Sequence, residues 1–212
     1  MKVIISGDLV QSRGYTPAAL SQILDLLHEE LATLSGASFK VFRGDSFQGS
    51  IAHPEDALLT VLRVRTAINS LALDGVKDLP DVRISIGIGS INLTRASLLE
   101  SNGEAFQFSG TALDAMKDEH KRIALTTADA EINGEFATSF ALLDSIMSKW
   151  SRASAEVVYY LILGHTEQEI ATIIGISQSA VNARKKVAQW DSIKLLMARY
   201  HHVISKYIHR GK

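Results

Sequence analysis

Apolar and polar positions alternate along this chain in runs that specify a sequence of elements. Val3 to Leu9 opens with Val3-Ile4-Ile5 and predicts a buried strand, ended by Gly7-Asp8. Thr16-Pro17 opens a helix with proline at its first position. Leu20, Ile23, Leu24, Leu27, Leu31 and Leu34 then repeat at helical spacing, and Ser35-Gly36 closes the helix. Phe39 to Phe42 and Phe47 to Ile51 flank Arg43-Gly44-Asp45-Ser46, which is a hairpin pattern. Pro54 starts a second helix with Ala57, Leu58, Val61, Leu62, Val64, Ile68 and Leu71 apolar. Val82 to Ile91 alternates Val82, Ile84, Ile86 and Ile88 with Arg83, Ser85, Gly87 and Gly89, a strand with two unlike faces. A helical or turn-like stretch follows at Ala105–Met116, then a short strand at Arg122–Thr126. Further helices are expected at about Glu135–Trp150 and Leu195–Ile208, the last with Leu196, Tyr200, Val203, Ile204 and Tyr207 inward.

The order strand, helix, hairpin, helix, strand predicts an α+β fold. The expected form is an antiparallel sheet of ferredoxin-like or palm type with helices on one face, plus an all-α helix-turn-helix domain. The predicted division is an α+β domain over residues 1–135, a helical linker over 136–150 and the helix-turn-helix over 151–212.

The last segment is the most specific. Thr166 is placed as an N-cap, and Glu169 three residues on completes a capping box. Ile170, Ala171, Ile173 and Ile174 form an apolar stripe, and Gly175 stands where a helix must stop in a left-handed conformation. Ser177 then caps a second helix with Val181 inward. A helix in this setting can enter a major groove. Ser177, Gln178, Ser179, Asn182 and Arg184 are the candidates for base or backbone contact, and Lys185 and Lys186 for phosphates. A plain helical hairpin used for dimerisation is the alternative.

Charge sharpens this picture. The whole chain of 212 residues has a net charge of -1. Residues 1–150 hold 13 Lys and Arg against 19 Asp and Glu (net -6), and residues 151–212 hold 9 against 4 (net +5). A basic tail beside an acidic body suits a module that meets phosphates, although the two halves also attract one another. The absence of cysteine excludes disulfides and thiolate metal sites. The start Lys2-Val3-Ile4-Ile5 lacks a signal-peptide layout, and no apolar run has bilayer-spanning length. A cytoplasmic protein with no membrane partner is expected.

Asp8, at the end of the first strand, and Asp45, in the hairpin turn, are the candidate chemical residues of the body. Pairing of that strand with the hairpin would bring both carboxylates to one sheet edge. Two hard oxygen ligands there suit Mg²⁺ or Mn²⁺, with Arg13 and Arg43 nearby for a nucleotide. The simpler reading is that both are turn residues. Gly87 and Gly89 mark a close approach, by a ligand or by a packed helix. His28, His53 and His120 lack metal-ligand spacing, His201-His202 with His209 could bind metal although exposure in a terminal helix is the simpler reading, and Ser6 and Ser12 lack nucleophile partners. No catalytic residue is assigned.

Three resemblances attach to these motifs. Residues 151–190, with Glu156–Leu161 upstream and the Thr166, Glu169-Ile170-Ala171, Gly175-Ile176-Ser177-Gln178-Ser179 and Val181 run, resemble sigma-factor region 4 and response-regulator effector domains. That resemblance implies DNA binding. Asp8, Asp45, Val82–Gly89 and Gly103-Glu104-Ala105-Phe106 with Gly110 and Leu113 resemble the palm-like domain of class III nucleotidyl cyclases, in which two such aspartates hold metal. Asp114 and Met116 stand in the region where that family carries its transition-state Asn and Arg. Gly7–Arg13, Phe42–Gln48, Arg83–Gly89 and Gly103–Phe106 are similar to the SatD-like family of bacterial proteins. The resulting expectation is a DNA-binding transcription regulator, a homodimer, with a sensory or dimerisation domain that binds a nucleotide. The alternative is a metal-dependent nucleotidyl cyclase or transferase using Asp8 and Asp45.

Overall fold

The computed structural model describes residues 1–34, 38–42, 44–76, 78–91 and 102–210. Five strands form one sheet: β1 (Lys2–Leu9), β2 (Ser38–Phe42), β3 (Ser46–Ile51), β4 (Val82–Gly89) and β5 (Ile123–Thr126), in the order β2-β3-β1-β4-β5. Eight α-helices are described: α1 (Pro17–Ala32), α2 (Ala57–Asn69), α3 (Glu104–Asp118), α4 (Ala130–Met147), α5 (Arg152–Ile162), α6 (Glu167–Ile174), α7 (Gln178–Val187) and α8 (Trp190–Arg210).

The two faces of β1 and β4 explain how the layers form. Val3, Ile5 and Leu9 join Val82, Ile84, Ile86 and Ile88 in a core closed by Ile23, Leu27 and Leu31 of α1 and Leu58, Val61 and Leu62 of α2. The opposite face carries Ser6, Asp8, Arg83, Ser85, Gly87 and Gly89. There α3 lies directly on the strands, because the glycines leave no Cβ in its way. A Cβ on Gly87 would sit 2.3 Å from the carbonyl oxygen of Ala105 and 2.6 Å from the amide nitrogen of Ser109. Close helix packing therefore accounts for both glycines. Ser6, Ser85 and Ser109 close this layer with buried hydroxyl bonds.

Two features differ from the sequence expectation. The sheet is mixed, since β5 joins β4 in parallel register while the other pairs are antiparallel. Helices also cover both faces, α3 on one and α1 and α2 on the other. The periodicity of β4 reveals two unlike faces but not that its glycine face receives a helix.

Helix α4, the segment expected as a linker, packs into the main core. Phe136 and Phe140 meet Tyr200 of α8, with the Phe136 and Tyr200 rings 5.1 Å apart edge to face. The buried Tyr200 hydroxyl donates to the Pro54 carbonyl at 3.2 Å. Helix α5 packs on α2 and on α7, so the C-terminal helices join the body directly. Beyond α5 a second, small core begins, made of Val157, Ile170, Ala171 and Val181.

Candidate functional site

Two places answer to the sequence-derived candidates. The first is the end of the sheet at Asp8. In the β1–β3 register Asp8 stands opposite Ser46, next to Asp45 in the turn, and in the β1–β4 register it faces Arg83. The fold thus brings the two aspartates to the same end of the sheet, beside its central strand. Their side chains are committed differently. Asp8 is 7% exposed, and both its oxygens accept from Arg83, Oδ1 from Nε at 3.0 Å and Oδ2 from Nη2 at 3.1 Å. Lys117 Nζ of α3 lies 3.8 Å from Oδ2. Asp45 accepts from the hydroxyls of Ser12 at 2.7 Å and Ser46 at 3.2 Å, and its carbonyl receives the Leu9 amide.

Asp8 therefore has its bidentate guanidinium in place, and it offers a divalent cation no open carboxylate in this arrangement. Among the described residues no group of three or more His, Asp or Glu side chains is placed to hold a metal ion. Arg13 is exposed in a short 3-10 turn at Ser12–Gly14, and Arg43 lies outside the described residues. Sequence reasoning missed Arg83 and Lys117. Arg83 stands in the sequence as a polar position of an alternating strand, and no motif singles out Lys117.

The second place is the α6–α7 hairpin. Thr166 accepts from the Glu169 amide, and the Glu169 carboxylate accepts from the Thr166 amide at 2.7 Å, completing the capping box. Gly175 is left-handed at φ 68°, ψ 37°. The Ser177 hydroxyl accepts from the Ala180 amide at 3.2 Å and starts α7. These local devices bend the chain sharply, and the Ser177 hydroxyl also bonds the Ser179 hydroxyl on the outer α7 face at 3.0 Å. Val181 and Ala188 face inward, while Gln178, Ser179, Ala183, Lys186 and Val187 are exposed.

The remaining candidates are partly tied to the protein. Lys185 Nζ lies 2.8 Å from Glu167 Oε1, and Asn182 Nδ2 donates to both Glu167 oxygens at 3.2 and 3.3 Å. Arg184 lies 3.9 Å from Glu156. The bond from Lys185 holds the Glu167 carboxyl below the usual carboxylate range, against a small opposing effect of burial, with Asn182 assisting. The same bond raises Lys185 above the usual lysine range. Lys186 is exposed and makes no side-chain hydrogen bond or ion pair among the described residues. Spacing did not suggest Glu167, because its partners Asn182 and Lys185 lie across the turn.

The chain matches the SatD family over residues 2–204, and it belongs to that family. It is also similar to two solved structures of a bacterial light-regulated adenylyl cyclase. They show 14% and 15% identity and TM-scores of 0.45 and 0.46, covering 59% of this chain. The aligned part spans 42% of those chains, less than half their length. No curated protein sequence matches. No helix among the described residues is long and apolar enough to cross a membrane.

Proposed function

We propose that this SatD-family chain is a DNA-binding protein, a transcription regulator that reads duplex DNA through α7. In this reading the α+β body is a sensory or dimerisation platform that takes up a nucleotide. The observation that carries the reading is the exposure of one α7 face, Gln178, Ser179, Ala183 and Lys186, on a helix whose back is anchored by Val181 and Ala188. Amide and hydroxyl side chains there suit base edges, and Lys186 suits a phosphate. Ser179 and Ala183 are small, so the α7 backbone can approach a groove closely. The net +5 of residues 151–212 adds long-range attraction. One such helix reads few base pairs, so a homodimer on a two-fold site is the expected assembly.

The direct test selects bound duplexes from a random-sequence pool with the full chain, then measures affinity for the winners. A recovered motif with two half-sites about one helical turn apart supports the reading. Failure to bind any duplex at low salt removes it.

The meeting of Asp8 and Asp45 at one end of the sheet favours a second reading, metal-dependent nucleotidyl cyclisation or transfer with Mg²⁺ or Mn²⁺. It requires Arg83 to release Asp8, and for that reason ranks below the first. Thermal shift with ATP or GTP plus Mn²⁺ tests it. A stabilisation lost in both Asp8→Ala and Asp45→Ala supports the site, and no stabilisation with either nucleotide excludes it.

A further inference from the structure

A cavity of about 530 Å³ opens where the end of β1, the start of β4, the approach to β5 and the end of α4 converge. Neither Asp8 nor Asp45 lines it, and neither does any α7 residue. Three independent observations mark it.

Among the described residues only three non-glycine residues have a left-handed backbone, and two of them, Gln11 at φ 55° and His120 at φ 56°, line this cavity. Such conformations cost free energy and gather at functional sites. The second observation is Trp150, 6% exposed, which also lines the cavity. Its Nε1–H is the one buried side-chain nitrogen or oxygen among the described residues without a hydrogen-bond partner. A buried orphan donor requires an explanation. The third is Arg122, which donates from Nε to Asp81 and from Nη1 to the carbonyls of His120 and Lys121, leaving Nη2 without a protein acceptor.

Two of the three acids of the cavity, Asp81 and Asp144, are already used. Asp81 accepts from Arg65, Asn69, Arg122 and the Val82 amide, and Asp144 from Arg65 and the Arg122 amide. Arg122 Nη2 is left as an unspent charged donor, which calls for a ligand with an acceptor oxygen. Charge selects further. Asp78, Asp81 and Asp144 outnumber Arg65 and Arg122 in the lining, so an added anion gains no net attraction. Val10, Leu79, Met147 and the indole supply apolar walls, which suit a flat body.

We infer that this cavity binds a neutral, flat heterocycle bearing carbonyl oxygens. Arg122 Nη2 donates to a carbonyl, and the Trp150 indole forms a wall of the site. This inference stands apart from the DNA reading, since it invokes no α7 residue.

The chain contains two tryptophans, so its ¹H–¹⁵N spectrum carries two indole signals. Trp150→Phe or Trp190→Phe assigns them. Uridine and inosine serve as neutral carbonyl-bearing probes, and benzoate and tryptamine as flat charged controls. The expected result is a saturable shift of the Trp150 signal with uridine or inosine and no shift of Trp190. Val10→Phe should abolish the shift by filling the cavity. Arg122→Gln should weaken binding about tenfold, the loss of one hydrogen bond from a charged donor. The unchanged Trp190 signal certifies the fold of each variant. No saturable shift with either neutral probe, an equal response to the charged controls, or persistence of the response in a folded Val10→Phe variant would each overturn the assignment.

Discussion

Arg65 and Lys186 show how differently two regions of this molecule use charge. Arg65 is 3% exposed and sits between Asp81, at 2.9 Å from its Nε, and Asp144, at 2.5 Å from Nη1. Burial opposes its charge, but the two aspartates outweigh burial and hold its pKa above the usual arginine value. The Asp81 carboxyl is correspondingly held low, against burial, by Arg65, the Val82 amide and Arg122. Asp8 and Arg83 repeat this pattern at the end of the sheet. In the body, then, charged groups are spent on one another. In the hairpin a core of four buried residues and a set of caps hold the helices, and the outer face of α7 is left to solvent. The body thus holds its charges largely in pairs, whereas the hairpin keeps Lys186 in solvent. Glu167 blurs the line, because it draws Lys185 and Asn182 of α7 into the internal pattern.

Breaking the scaffold side should have the largest effect. Asp81→Ala leaves Arg65 with half its compensation in a buried setting and should cost about 3–5 kcal/mol, read from urea unfolding. The pH dependence carries a fixed sign. Asp81 has a lowered folded-state pKa, so its stabilisation is complete above the unfolded carboxylate value of about 4 and is lost as pH falls below it. Asp81→Asn should flatten that acid limb. An unchanged limb would place the acid sensitivity elsewhere.

The hairpin core comes next. Ile170→Ala should cost about 2 kcal/mol. Because its cluster is separate from the main core, amide exchange should accelerate in α5, α6 and α7 while β1 and β4 keep their protection. Equal acceleration in the sheet would show that hairpin and body unfold as one unit. Gly175→Ala should cost about 1–2 kcal/mol, since it forces a Cβ into a left-handed position at φ 68°.

The smallest effect on stability, and the most telling about partners, is expected from Glu167→Gln. It releases Lys185 and keeps an amide acceptor for Asn182. Duplex affinity at low salt should rise several-fold, with unfolding midpoints little changed. No gain in affinity would mean that Lys185 does not reach a phosphate.

Much of the fold is legible in the sequence, and the reason is periodicity. The leucines of α1, the alternation of β4 and the Thr166, Gly175 and Ser177 punctuation each fix an element locally. What escaped depends on register between distant segments. Arg83 meets Asp8 across 75 positions, and Arg65 meets Asp144 across 79. No local pattern announces either pair, so Asp8 looked like an open ligand while its partner stood one strand away. The parallel attachment of β5 escaped for the same reason, since four residues of alternating burial are compatible with either direction. Asp45 was placed at the end of the sheet by the hairpin pattern alone, and Arg43 lies outside the described residues. The cavity at Trp150 had no sequence signal. Its residues come from separate elements, and the unspent donor of Arg122 emerges only after its other bonds have been assigned.

The salt dependence of duplex binding tests the central claim most directly. With the selected duplex, the logarithm of the association constant should fall linearly with the logarithm of salt concentration, and Lys186→Ala should reduce the slope by about 1 with the fold intact. Identical slopes and affinities for the wild type and Lys186→Ala would contradict the assignment of the exposed α7 face to DNA.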